Sequence, residues 1–273
     1  MERASLLIAF FLLSLSLFGQ SAFNVSVRSN SLANCLSVLD DPTVILHNPS
    51  GATTTKTLQT GVQFLSTTAL QNSAAFVTYP LANSVLGFAT QLYGFQFYRL
   101  MYYGVNYGLN ITENIRFGIF LGSENRTILN YGSRNSLYMS FAMQGNISHN
   151  CRYGISVKSV GFHLHENISQ SSTVLNVGIK YRTENPIWCL YLEMEKSLAL
   201  PTRLKLALEY KLRPSLYLRT GIMSASYQLT TGFGLWCKKR YRLDLGGSWQ
   251  PILGMSLQAG VLFSVHPRAI DEE

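Results

Sequence analysis

The 273-residue chain is 47% hydrophobic and only 13% charged, with 15 Tyr, 15 Phe and 21 Gly. It is too apolar for a disordered chain and too rich in Gly and Tyr for a helical bundle. The net charge of +8 is scattered, with Lys238-Lys239-Arg240 its densest cluster, so the sequence offers no basic patch for a nucleic-acid partner.

The first element is a secretion signal over residues 1–22. Arg3 gives a basic start, residues 5–18 are almost unbroken apolar, and small residues place cleavage near Ala22. No Cys stands at that boundary, which argues against a lipoprotein. Beyond it no run of ~20 apolar residues remains, so no transmembrane helix is predicted.

Residues 23–57 form the second element. Their core, "DDPTVILHNPSGAT" (40–53), is too short and too interrupted by proline for a core helix or a central strand. Asp40 or Asp41 is placed to cap a short turn ahead of Pro42. Pro49 and Gly51, after Asn48, fit a second turn.

From residue 58 the sequence repeats one theme, segments of about ten residues alternating apolar and polar between turn-forming stretches. In "RLKLALEYKL" (203–212), Leu204, Leu206, Leu208, Tyr210 and Leu212 share one face, with Arg203, Lys205, Glu209 and Lys211 opposite. About fourteen such segments follow: 58–68, 72–80, 84–93, 98–110, 114–122, 135–145, 151–160, 173–183, 187–196, 203–212, 216–224, 229–237, 241–249 and 254–265. The longest connections are 122–135 and 165–172. Residues 267–273 form a short tail.

Alternating strands suit a soluble sandwich or a solenoid as well as a barrel. Two features favour the barrel. Charges and glycines fill the polar faces, as a wet or tightly packed lumen requires. With both termini on one side, Tyr79, Tyr107, Tyr153, Tyr181, Trp188, Tyr210 and Tyr241 fall on the apolar face near that side, the pattern of an aromatic girdle. The expected fold is therefore all-β, a transmembrane antiparallel β-barrel of about 14 strands spanning 58–266. Its location is the bacterial outer membrane, in contact with outer-membrane lipids, with both termini periplasmic. A barrel of that size is too wide for its own side chains to fill, and residues 23–57 are the available plug.

Arg116, Lys180, Arg182, Glu193, Glu195, Lys205, Glu209, Arg219, Arg242 and Asp244 are assigned to the lumen. They would form a polar conduit or pair with one another to hold barrel and plug, with Asp40 and Asp41 as partners for lumen arginines. Cys151, Cys189 and Cys237 map to the periplasmic strand ends. Cys35 lies in the plug, where it can bond Cys189 or remain unpaired. His163 and His165 share a strand face without a third metal ligand, so neither metal nor cofactor is expected. No nucleophile, phosphate-loop or dinucleotide motif appears, and no enzymatic activity is expected. The sequons at Asn24, Asn110, Asn125, Asn146 and Asn167 are incidental in a bacterial barrel.

The stretch "RSNSLANCLSVLDDPTVILHNPSGAT" resembles the N-terminal segment of the FadL-type outer-membrane transporters and their PorV/PorQ relatives. These share an Asp-Asp-Pro triplet and an Asn-Pro-Ala-Gly turn before the first strand. Ala33, Asp40, Asp41, Pro42, Asn48, Pro49 and Gly51 match. Ser50 stands where Ala is usual, and Ala33-Asn34 where Gly-Gly is frequent. The resemblance implies a plugged barrel of fourteen strands that passes small hydrophobic compounds. Alternatively, it implies an accessory barrel of the type IX secretion system that binds secreted proteins or other secretion-system proteins.

Overall fold

The computed structural model describes residues 26–66, 71–162, 173–183, 187–197, 200–225, 227–251 and 254–266. The signal segment, His163, His165, the 165–172 connection and the tail lie outside them. Fourteen strands follow one another around a closed antiparallel barrel: β1 (Gln59–Ser66), β2 (Gln71–Pro80), β3 (Ser84–Phe95), β4 (Tyr98–Asn110), β5 (Ile115–Ile128), β6 (Gly132–Asn146), β7 (Cys151–Phe162), β8 (Val174–Arg182), β9 (Trp188–Ser197), β10 (Arg203–Arg213), β11 (Leu216–Met223), β12 (Gln228–Cys237), β13 (Tyr241–Gln250) and β14 (Gly254–Ser264). Each strand pairs with its sequence neighbours, and β1 closes on β14 from Gln59↔Ser264 to Ser66↔Leu257. Closure leaves no free edge, so the backbone polar groups of every strand have partners on both sides.

The expected connection at 122–135 is instead a strand hairpin. β5 and β6 stay in register from Gly122↔Tyr138 to Ile128↔Gly132, and the turn is only Leu129–Tyr131, with Asn130 and Gly132 at positive φ. Gly, Asn and charged residues there resemble a loop in composition. Their alternation nevertheless continues, with Glu124 buried inside the barrel and its neighbours less so.

Side-chain burial is inverted relative to a water-soluble core. On β10 Leu204 and Leu206 are exposed while Arg203, Lys205 and Glu209 are buried. On β4 Met101, Tyr103, Val105 and Tyr107 face out, and Tyr102 and Asn106 face in. Gln63, Thr78, Ser140, Gln144, Asn176 and Gln258 continue the polar interior. At the end where β1 begins and β14 finishes, Tyr79, Tyr107, Tyr181, Trp188 and Tyr241 are exposed, and Tyr153 and Tyr210 are half-buried. Trp188 packs on Tyr210 at 4.2 Å and Tyr241 on Phe263 at 5.1 Å between centroids.

Residues 26–57 run through the inside of this ring. Helix α1 (Val27–Ser31) is capped by Ser26, whose side chain accepts from the Ser29 amide. Ala33 and Asn34 then adopt φ of 51° and 59°, the left-handed region in which a residue without a Cβ is least strained. Short 3₁₀ turns follow at Pro42–Val44 and Pro49–Thr54. The apolar side chains of the segment divide into two clusters. Leu32, Cys35, Leu36, Val38, Leu39 and Val44 pack with Tyr191, Ala207 and Met223. Ile45, Leu46 and Ala52 pack with Phe76, Val85, Ala89, Phe120 and Tyr138 on the other side of the barrel.

Candidate functional site

The interior chemistry is organised by where the N-terminal segment meets the wall. Asp41 is the N-cap of the Pro42–Val44 turn and accepts from the Thr43 amide at 3.0 Å. The same carboxylate pairs with Arg28 at 3.1 Å and Arg242 at 2.8 Å. Arg28 reaches Glu209 at 2.8 Å, Glu209 pairs with Arg219 at 2.7 Å, Arg219 with Asp244 at 2.6 Å, and Asp244 with Arg242 at 2.6 Å. Arg28, Glu209, Arg219, Asp244, Arg242 and Asp41 thus close a ring of alternating sign, two members from the segment and four from β10, β11 and β13. Each charge in the ring has an opposite charge on either side, the arrangement that offsets desolvation of buried ions. Burial alone would raise the Asp41 pKa. Arg242 and Arg28, with the Thr43 amide, outweigh it and hold the carboxyl well below the ordinary Asp range. Gly234 on β12 lies between Arg219 and Asp244. A Cβ there would meet the Arg219 guanidinium at 2.5 Å and the Asp244 carboxylate at 2.7 Å.

A second anchor is Glu193. Its Oε2 accepts from the Leu36 amide at 2.8 Å, the Ser37 amide at 2.7 Å and the Ser37 hydroxyl at 2.6 Å. Its Oε1 faces the Lys205 ammonium at 2.8 Å. Lys205 also donates to the Asn34 carbonyl at 2.8 Å and pairs with Glu195 at 2.8 Å, and Arg203 reaches Glu195 at 3.1 Å. The wall therefore holds the backbone of 34–37 with charge-assisted bonds.

Asn48 organises the segment itself. Its Nδ2 donates toward the carbonyls of Leu36, Ser37 and Leu39, and its Oδ1 accepts from the Ser50 hydroxyl at 2.7 Å. Gln144 on β6 donates to two of the same carbonyls, Ser37 at 2.9 Å and Leu39 at 3.1 Å. Tyr138 donates to the Leu46 carbonyl at 2.7 Å. Wall glycines give the backbone room. A Cβ on Gly118 would collide with Pro49 and Ser50, and one on Gly154 with Ser37.

Asp40, beside the ring, binds three wall cations, Arg116 at 2.9 Å, Arg152, and Lys180 at 3.9 Å.

Of the lumen charges expected from sequence, Arg116, Lys180, Glu193, Glu195, Lys205, Glu209, Arg219, Arg242 and Asp244 all join these three clusters. Arg182 faces the same way as Lys180 and is half-buried at the rim. Sequence reasoning missed Arg28, Arg152 and Glu124. Arg28 opens the quoted stretch but lies ahead of Ala33, the first of its matching positions. Arg152 follows a turn and reads as a strand start. Glu124 fell inside the supposed loop. Of the two alternatives for Cys35, a bond to Cys189 or an unpaired thiol, the second is found, and all four thiols are free. Burial and the nearby Glu193 push the Cys35 thiol up. Its charged neighbours, Glu193 and Lys205, lie level with one another across β9 and β10, whereas Cys189 lies opposite Glu209. Among the described residues, no group of three or more His, Cys, Asp or Glu could hold a metal.

No family model and no curated protein matches the sequence. Solved structures do match in fold. The toluene transporter TbuX of Ralstonia pickettii is 10% identical, with a TM-score of 0.65 over 90% of this chain and 100% of its own. The toluene transporter TodX of Pseudomonas putida is 11% identical, with a TM-score of 0.63 over 86% of this chain and 95% of its own. A FadL homologue of Pseudomonas aeruginosa is 8% identical, with a TM-score of 0.61 over 89% of this chain and 98% of its own. The chain, a closed barrel of fourteen strands, thus shares its fold with these toluene transporters and the FadL homologue.

Proposed function

We propose that the protein is an outer-membrane barrel, plugged by residues 26–57, that passes small hydrophobic compounds. The observation that carries this reading is the inverted architecture around a tethered segment. Apolar side chains cover the outside of a closed barrel, as lipid contact demands. Inside, the N-terminal segment is bonded to wall residues by charge networks and backbone hydrogen bonds, alongside the two apolar clusters it forms with the wall. A segment held by discrete polar contacts can shift when a few of them exchange. The toluene transporters of the same fold support the ligand class. The secretion-accessory alternative draws only on the N-terminal motif.

The plug turn Asn48, Pro49 and Gly51, with Asp40 and Asp41 anchoring it to lumen cations, is the element assigned to gating. The test is toluene entry into proteoliposomes, with ion conductance measured in parallel. Replacing Asn48–Gly51 with a flexible linker is expected to change both. Unchanged entry and unchanged leak would defeat the reading. Native mass spectrometry of gently extracted protein separates the alternatives, since a bound lipid-like small molecule fits transport and a bound secretion component fits the accessory role.

A further inference from the structure

Two neighbouring turns, at the end of the barrel where β1 begins and β14 finishes, carry an excess of positive charge. Lys238, Lys239 and Arg240 make the turn between β12 and β13, and Arg213 ends β10 at the turn into β11. All four residues are exposed. Among the described residues, none of the four side chains has an ion-pair or hydrogen-bond partner. The turns are joined edge to edge, because the Trp236 amide donates to the Ser215 carbonyl at 2.8 Å. Three other turns at this end, 81–83, 111–114 and 147–150, contain no Lys or Arg. The cations are thus gathered over four adjacent strands, β10 to β13.

Both turns break a local rule in a way that presents this charge. On β10, Lys205, Glu209 and Lys211 share the lumen face, and Lys211 opposes Tyr217, buried inside. The register then shifts, and Arg213 lies opposite Leu216, which shares the outer face with exposed Leu218. Opposed residues of a strand pair point to the same side of the sheet. The bulge therefore turns Arg213 from the lumen to the outside, and re-aiming a side chain is what such an insertion does. In the other turn Lys238 and Lys239 adopt φ of 50° and 57°. Successive left-handed residues in a hairpin favour Asn and Gly, and the Cβ of a lysine is strained there. Strain retained in this way points to side chains kept for what they contact.

We propose that these two turns bind the headgroup phosphate of an acidic phospholipid in the leaflet that surrounds this end of the barrel. The inference rests on the membrane-barrel reading, and not on the transported compound. Depth supports it, because Arg240 directly precedes Tyr241, an exposed ring of the aromatic girdle, and girdle rings lie at headgroup level. The two turns stand two strand spacings apart, about 10 Å, a gap that one headgroup can bridge. The Arg213 guanidinium can hold phosphate through two bonds, and the lysine ammoniums act as adjustable point charges. Leu212, Leu218, Phe233 and Leu243, one from each of the four strands, are exposed on the outer face where the acyl chains would run. A lipid uses both the cations and this apolar surface, whereas an acidic soluble partner has use only for the cations.

The experiment is native mass spectrometry of the full-length protein released from nanodiscs of equal phosphatidylglycerol and phosphatidylethanolamine. Heat-modifiable electrophoretic mobility verifies that each variant is a folded barrel. The wild-type protein is expected to retain a phosphatidylglycerol in preference. Arg213→Gln and Lys239→Gln should each lower that preference by roughly fivefold, the worth of one basic residue at a membrane surface. Arg99→Gln removes an exposed cation near the start of β4, at the opposite end, and should change nothing. Lys238→Asn combined with Lys239→Gly should lose the preference yet melt no lower than wild type in lipid-free detergent, since its turn is relieved. Lower melting with unchanged lipid retention would mean that the lysines serve only the turn. Equal retention of the two lipids, an equal loss in Arg99→Gln, or displacement of the lipid by inorganic phosphate at matching concentration would each overturn the site. So would a preference that appears only after Asp271→Asn, Glu272→Gln and Glu273→Gln, because those acids would then be the occupant. Toluene entry into wild-type proteoliposomes is read independently, so loss of the lipid site and loss of the transport reading are distinguishable.

Discussion

Asp41 and Arg242 are 201 residues apart in sequence and touch at 2.8 Å inside the barrel. The contact joins the Pro42–Val44 turn of the N-terminal segment to β13, and it closes the six-membered ring of charges. Removing that one charge leaves Arg28 and Arg242 buried with an excess of positive charge. Asp41→Asn is therefore expected to destabilise the seated segment by about 3–5 kcal/mol, the cost of breaking a buried pair on one side. Hydrogen exchange should show it as lost protection confined to residues 27–55, with the strand amides unchanged. Uniform loss across the strands would mean that the ring supports the barrel instead.

The same carboxylate sets a pH limit. Its pKa in the folded protein lies below the ordinary Asp value, so its contribution is complete above the unfolded value of about 3.9. That contribution is lost as pH falls through the lower, folded value. The segment should stay protected from protease at pH 5 and be released only in acid below about pH 4. In Asp41→Asn this acid step should shrink. Release of the wild-type segment between pH 5 and 7 would contradict the assignment.

Asn48 and Gln144 donate to overlapping carbonyls, Ser37 and Leu39. Either substitution alone leaves each carbonyl a donor, so Asn48→Ala and Gln144→Ala should each cost about 1–2 kcal/mol. Together they leave both acceptors without their side-chain donors, and the double variant should lose more than the sum by about 1 kcal/mol or more. Thermal release of the segment, followed by a fluorophore placed at its exposed Thr54, measures the cycle. Strict additivity would show that the two side chains do not share these carbonyls.

Much of this arrangement was legible in the sequence because strand alternation is a local signal. Arg203, Lys205, Glu209, Arg219, Arg242 and Asp244 declare their face by position in a period of two. Partners across the lumen are not local. Nothing in the spacing of Arg28 indicates that it meets Glu209, 181 residues away. The hairpin at 122–135 was hidden for a different reason. Its residues are loop-like in composition, and only continuous pairing with Tyr138 and its neighbours makes them a strand. The choice between a bonded and an unpaired Cys35 was not legible either, because which face a residue takes is set by alternation, whereas how far along the barrel the segment lies is set by contacts such as Glu193 with Ser37.

Gly118 tests whether the segment seals the lumen. Its missing Cβ is occupied by the backbone of Pro49 and Ser50, and backbone cannot rotate away as a long side chain can. Gly118→Ala should cost about 1–3 kcal/mol as overpacking and push the Pro49–Thr54 turn off β5. The strand pairs Gly118 with Gly108 and Ala142, so the barrel itself has no need of a bare backbone there. The expected result is a normal heat-modifiable barrel with raised single-channel conductance. Gly247→Ala is the control, because a Cβ there meets only ordinary or near-ordinary contacts with Ser256 and Leu257 at 3.3 and 3.8 Å. A Gly118→Ala barrel that folds, displaces the turn and still shows wild-type conductance would mean that residues 49–54 do not close the channel. The seal would then have to be sought around α1 and the Asp41 ring.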